Sequence, residues 1–232
     1  MLHRGFRIGE HFPTWLLLHL LFGPNHPAEK RWAALLALGT KPEPEAFDAL
    51  LRVLQDEDWK MRRFALDAVL RHPRVAEARH EVIRLLFDQD DEVRQKACRV
   101  CAELRWADAH EGITTLLRAD NPDVRDTAAN ALSLLWQEDD FGRLFQLYRA
   151  DTRRAVRLAA AKTLRDRVSS QHWRCLFTFW AHDREVRHRM WACDLLGRFG
   201  GRAYLPRLEP LLDDRNSNVR IAAREIASQL AA

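Results

Sequence analysis

An arginine returns every 30 to 33 residues along this chain. Arg31, Arg62, Arg94, Arg125, Arg157, Arg187 and Arg220 are separated by 31, 32, 31, 32, 30 and 33 residues. Each follows a polar or proline-containing turn, and small or apolar residues usually stand three and four positions later. Self-similarity at this period marks a stack of supersecondary units, each too small to bury its own apolar face and completed by its neighbours.

Each unit reads as two helices. Val75 to Phe87 carries apolar residues at helical spacing, Asp88 to Asp91 forms a polar turn with a capping aspartate, and Val93, Ala97, Cys98, Val100, Cys101 and Leu104 line one face of a second helix. The next unit repeats this around the turn Asp120-Asn121-Pro122-Asp123, with Pro122 where the first turn of a helix tolerates it. Further pairs follow at 141–148 and 156–164, 173–180 and 186–196, and 204–212 and 219–230, and one precedes them at 46–54 and 61–70. The first unit, Phe12 to Phe22 and Trp32 to Leu38, is irregular around Gly-Pro-Asn-His-Pro. The expected fold is therefore all-α, a solenoid of about seven helix pairs running through residues 1–232 as one domain, with 1–39 the irregular first repeat and 40–232 six regular ones. No alternating strand pattern competes.

The segments Asp90-Asp91-Glu92-Val93-Arg94…Ala97, Asn121-Pro122-Asp123-Val124-Arg125…Ala128-Ala129, Val156-Arg157…Ala160-Ala161, Asp183-Arg184-Glu185-Val186-Arg187 and Asn218-Val219-Arg220…Ala223 resemble the short HEAT repeat, the version found in phycobilin lyases and in many bacterial proteins. The resemblance covers nearly the whole chain and implies helix pairs stacked into a solenoid. In that arrangement valine packs between helices, the small residues let helices approach closely, and the turn Asp or Asn caps the helix and accepts hydrogen bonds from a repeat arginine. The planar guanidinium suits such bidentate pairing, so the seven arginines read as structural.

With 47% hydrophobic residues the chain can bury a sizeable core, and nine Gly and nine Pro argue against disorder. A net charge of +4 permits an anionic partner without demanding one. Cys98, Cys101, Cys175 and Cys193 fall within helical apolar patterns, which argues against a secreted disulfide framework. Trp15 to Phe22 is short for a membrane span and lacks the cleavage site of a signal peptide. The expected location is the cytoplasm.

The motifs that could carry chemistry read better as packing. Cys98-Arg-Val-Cys101 has the spacing of half a zinc site, but no second pair matches it, and both positions are small-residue positions of a helix. His80-Glu81 and His110-Glu111 are similar to the dyads of HEAT-repeat di-iron hydroxylases, but stand on the other helix of the repeat and number two where that family uses four. Eight tryptophans bring to mind HEAT-like DNA glycosylases, yet they are scattered through the repeats and no Trp-Trp-Asp cluster is present. No catalytic residue, metal ligand or cofactor is assigned.

The expected function is a non-catalytic scaffold or adaptor that binds another protein. Two regions are candidates. The first helix, with Trp15, Leu17, Leu18, Leu21 and Phe22, is apolar nearly all round, so either residues 1 to 12, with Phe6, Ile8 and Phe12, cover it or a partner does. The inner helices offer basic patches at Arg63, Lys96 and Arg99 and at Lys162 and Arg165. A role like that of the bilin lyases, or of an assembly chaperone for a cofactor-bearing subunit, is the alternative that the resemblance implies. Nucleic acid is the less favoured partner, because the row following each repeat arginine is mixed rather than continuously basic.

Overall fold

The turns that set the repeat are built by side chains that cap their own helices. Asp58, Asp90 and Asn121 each accept a hydrogen bond from the backbone N–H two residues on, at 2.9, 2.9 and 2.8 Å. Such capping satisfies an otherwise orphaned donor and is worth about 1 kcal/mol. The computed structural model describes Gly9 and residues 11–231, and among these it is all helical, with no strand. Fourteen α-helices form seven consecutive pairs among the described residues.

Two units divide the chain, Met1–Trp136 and Gln137–Ala232. In the first, α1 (Thr14–Phe22) pairs with α2 (Ala28–Leu38), α3 (Pro44–Val53) with α4 (Trp59–Arg71), α5 (Arg79–Arg84) with α6 (Asp91–Glu103), and α7 (His110–Leu116) with α8 (Pro122–Ala131). The second holds α9 (Asp140–Ala150) with α10 (Arg154–Arg167), α11 (Trp173–Trp180) with α12 (Val186–Phe199), and α13 (Glu209–Leu212) with α14 (Ser217–Ala231). Several first helices are short and entered through 3-10 turns, as at Val75–Ala78, Ala107–Ala109 and Arg202–Leu208.

The second helices of successive pairs lie side by side. In the first unit α2 packs on α4, α4 on α6 and α6 on α8, and in the second α10 packs on α12 and α12 on α14. Alanine makes this approach close: Ala34, Ala65, Ala97 and Ala128 in the first unit, and Ala160, Ala192 and Ala223 in the second, are fully buried. Gly39, just past α2, is required by the same closeness, since a Cβ there would stand 2.5 Å from the carbonyl oxygen of Ala68. The residue before the repeat arginine fills the space between helices. Met61, Val93, Val124, Val156 and Val219 are all buried there, each contributing about 1.5–3 kcal/mol by removal from water.

The repeat arginines hold their own turns. Nη1 of Arg62, Arg94, Arg125 and Arg157 donates to the carbonyl oxygens six and five residues earlier, at 2.6 to 3.1 Å. Arg220 reaches the carbonyl of Asp214 at 2.7 Å. In the sixth repeat this role falls to Arg189, whose Nη1 donates to the carbonyls of Asp183 and Arg184. Arg187, the residue expected there, is exposed. The reason lies in the packing: Ala192, three residues after Arg189, occupies the buried alanine position, and His188 replaces the valine before the arginine. The spacings then become 31, 32, 31, 32, 32 and 31. Arg31 departs from the rule, its Nε donating to the carbonyl of Leu21 at 3.0 Å and so tying α2 to the end of α1.

The stacking bonds run from one repeat to the next. Arg62 donates through Nε and Nη2 to both carboxylate oxygens of Asp88 in the following turn, at 2.7 and 2.6 Å. Arg189 does the same to Asp214.

Candidate partner-binding face

The residue that follows each repeat arginine marks one register along the second-helix layer. In the first unit these positions hold Trp32, Arg63, Gln95 and Asp126. In the second they hold Leu158, Met190 and Ile221, on the neighbouring helices α10, α12 and α14. Leu158 is half-buried, while Met190 is 38% and Ile221 53% exposed. Three apolar side chains thus recur at one register on the helices of one layer, on the side that solvent reaches. Rows of this kind, rimmed by charge, are how a folded surface offers itself to another molecule.

Beside Met190 a groove of ≈ 870 Å³ runs between the end of α10 and the outer side of α12. Trp191 forms its floor. The indole packs against the His188 ring at 5.3 Å and the Trp180 ring at 5.6 Å, and the Arg165 guanidinium lies over it at 4.8 Å. Arg165 is paired with Asp166 at 2.7 Å, and Arg198 lies 3.6 Å from Asp194.

Behind Trp191 lies a buried polar group. His188 is 2% exposed; its Nδ1 stands 3.1 Å from Asp183 Oδ2, but neither ring nitrogen makes a well-directed hydrogen bond among the described residues. Asp183 also accepts from the Tyr148 hydroxyl and from the backbone N–H of Glu185. Burial pushes the Asp183 carboxyl up, but the hydrogen bonds from Tyr148 and the Glu185 N–H, with the nearby His188 ring, together outweigh it and hold it below the ordinary range. Burial and the bond to Asp183 push the Tyr148 phenol up. This cluster fixes the floor of the groove from behind.

The other expected contact residues are dispersed. Arg63 stands 3.9 Å from Asp67 and 3.8 Å from Glu92, Lys96 pairs with Asp67, and Arg99 donates to the Gln95 side chain at 3.3 Å. The basic patch of the first unit is therefore largely neutralised by its own carboxylates. Lys162 is exposed and has no ion pair among the described residues, while Arg165 is brought onto Trp191. On α1, Leu17 and Leu21 are fully buried, which corrects their reading as partner contacts: they face α2 and α3 and belong to the core. Trp15 at 70% and Phe22 at 40% are exposed, and Leu18 is half-buried. The proposed cover by Phe6 and Ile8 lies outside the described residues; Phe12 is half-buried.

Cys98 and Cys101 are buried in α6, and burial raises both thiols, Cys101 to about 12. The His80-Glu81 and His110-Glu111 pairs sit at the starts of α5 and α7. Among the described residues, no three His, Cys, Asp or Glu side chains gather where they could hold a metal ion.

Comparison with known proteins gives the same architecture. The chain matches the model of HEAT repeats over residues 80–165 and 142–228, and that of the PBS lyase HEAT-like repeat over residues 30–56. It is 30% identical over 135 residues to a HEAT repeat-containing taxis protein of Halobacterium salinarum; the match covers 58% of this chain but only 30% of that longer protein. The solved structure of YibA from Escherichia coli superposes with a TM-score of 0.60 at 16% identity, covering 94% of this chain and 93% of the other. The complex of CpcE and CpcF of phycocyanin lyase from Nostoc sp. PCC7120 does so with a TM-score of 0.56 at 20% identity, covering 94% and 95%. At these identities the two structures speak for the fold alone. The HEAT-repeat matches span more than half of the sequence, the arginine-anchored helix pairs account for the rest of its regularity, and the chain belongs to the HEAT-repeat family.

Proposed function

We propose that this chain is a protein-binding scaffold without catalytic activity, which holds its partner on the second-helix layer of its second unit. The observation that carries the reading is the row Leu158, Met190 and Ile221 at one register on α10, α12 and α14, with Met190 and Ile221 exposed, where the first unit holds Trp32, Arg63, Gln95 and Asp126. Leaving Met190 and Ile221 in water has no benefit for folding. The HEAT fold commonly serves as a protein-binding scaffold, and its Nostoc neighbour was solved as a complex of two proteins. Trp15 and Phe22 on α1 offer a second apolar contact. Among the described residues, no helix is long and apolar enough to cross a membrane. The proposal places the chain in the cytoplasm, where four unpaired cysteines remain reduced.

The test is co-purification from the native cells with three baits: the wild-type chain, Met190→Asp/Ile221→Asp, and Trp15→Ser/Phe22→Ser, each checked for helicity and thermal unfolding. A protein retained by wild type and lost from Met190→Asp/Ile221→Asp supports the reading, because central apolar contacts of an interface carry most of its energy. Loss only from Trp15→Ser/Phe22→Ser moves the site to α1. Pigment or nucleic acid in the eluate with no protein overturns the scaffold.

A further inference from the structure

Resting on that scaffold reading, we infer that the groove between α10 and α12 receives an acidic segment of a partner protein, one that presents carboxylates beside an apolar side chain. Three cations line this groove, Arg165, Arg187 and Arg198, against two carboxylates, Asp166 and Asp194. Arg165 and Arg198 each lean on one of those carboxylates. Arg187 has no ion pair among the described residues, so the groove carries one unspent positive charge.

Arg187 is the telling residue. It takes no part in the stacking of the repeats, since Arg189 makes all of those bonds. It stands in the first turn of α12, where the partial positive charge of the helix N-terminus disfavours a cation and favours Asp or Glu. The equivalent positions of the other repeats hold Glu29, Lys60, Glu92, Asp123, Ala155 and Asn218, so three of the six are acidic and one, Lys60, is a cation as here. Arg187 shares its sign with Lys60, but it stands at the rim of a groove, beside Met190 and Trp191.

The floor specifies the rest of the occupant. Trp191 and Met190 give an apolar bed, and Arg165 is pre-oriented above the indole by its bond to Asp166. A guanidinium held in place binds a carboxylate with little further loss of side-chain freedom. An apolar side chain on Met190 and Trp191, flanked by carboxylates reaching Arg187 and Arg198, fills the groove and neutralises its excess. A nucleic-acid backbone fits poorly, since Asp166 and Asp194 interrupt the basic track that phosphates need.

The test selects short random peptides on the immobilised full chain, then measures their binding by fluorescence polarisation and by quenching of tryptophan emission. The expected result is enrichment of peptides with Asp or Glu beside Leu, Phe or Trp. Arg187→Glu/Arg198→Glu should weaken them about tenfold or more and improve binding of the same sequences with Lys in place of the acids. Arg187 and Arg198 are exposed, and helicity and thermal unfolding check that these variants keep the wild-type fold. Selected peptides that are neutral or basic, or an acidic peptide indifferent to the charge reversal, overturn the inference. If such a peptide is still lost in Met190→Asp/Ile221→Asp, the scaffold reading survives that failure; if neither variant changes binding, both fall. Single-stranded DNA bound more tightly than any selected peptide also overturns it.

Discussion

Arg189 donates from Nε to Asp214 Oδ2 at 2.5 Å and from Nη2 to Oδ1 at 3.0 Å, while its Nη1 holds two carbonyls of its own turn. Both side chains of the pair are almost fully buried. The fork–fork geometry satisfies charges that would otherwise be stranded, so removing one partner leaves the other uncompensated. Asp214→Asn should lose on the order of 3 kcal/mol in urea unfolding. Arg187→Ala, by contrast, should stay within about 0.5 kcal/mol of wild type, as expected of an exposed side chain.

The same pair sets an acid dependence. The bond from Arg189, with help from the Asn216 backbone N–H and against the effect of burial, holds the Asp214 carboxyl below the ordinary carboxylate range. A carboxyl depressed in the folded state contributes stability that is complete above its unfolded pKa and is lost as pH falls through the folded one. The gap between wild type and Asp214→Asn should therefore be constant above about pH 5 and narrow below about pH 4. Unfolding free energies measured across that range check it.

The arginine-to-aspartate relay between repeats is interrupted at Ala119. By register this residue is the counterpart of Asp88 and Asp214, and Arg94, lacking a carboxylate there, turns back to Asp91 in its own helix. Ala119→Asp should restore the bond from Arg94 and let the new carboxylate accept the Asn121 N–H, as Asp88 does from Asp90. The expected gain is about 1 kcal/mol, seen as a raised urea midpoint with an unchanged slope.

Much of this fold was legible because repetition averages out local ambiguity. The seven helix pairs follow from turn residues and apolar spacing, and the structure returns each of them. What misled was one substitution. With His188 in the valine position, Val186-Arg187 imitates the Val-Arg pair of the other repeats two residues too early. The signal that could have corrected it was present, since Asp183 stands six before Arg189 and Ala192 three after it, as in other repeats. The slip also hid the candidate face, because it put His188 in the row that follows each repeat arginine in place of Met190. For α1 no sequence signal existed: a helix apolar on all sides does not say which side is core, and only packing separates buried Leu17 and Leu21 from exposed Trp15.

The cysteines offer a check on burial. Cys98, Cys101 and Cys193 are buried, and desolvation pushes the thiols of Cys101 and Cys193 to about 12 and that of Cys98 further up. Thiolate is the reactive form, so these three should be inert in the folded protein. A thiol reagent at neutral pH should modify Cys175 alone, which is half-buried, and slowly, since burial raises it as well. All four should react once the chain is unfolded. Rapid native modification of Cys98 or Cys101 would contradict the packing of α6.

His188 is the one polar residue in a position that the regular repeats fill with Met or Val. Its Nε2, like its Nδ1, is buried without a hydrogen-bond partner among the described residues, a loss of about 1–3 kcal/mol against water. Valine at this site would remove that penalty, and Asp183 would keep its bonds from Tyr148 and the Glu185 N–H. His188→Val should therefore be more stable by about 1 kcal/mol. Tyr148→Phe acts in the opposite sense, stripping a donor from a part-buried carboxylate, and should lose about 1–3 kcal/mol. The imidazole also backs Trp191, so the cost to folding has a counterpart at the groove: His188→Val should shift the Trp191 emission and weaken whatever peptide the groove selects, while Tyr148→Phe lowers stability without that selective effect. A His188→Val protein that is less stable than wild type would show that the Nδ1 contact with Asp183 outweighs the unsatisfied nitrogens.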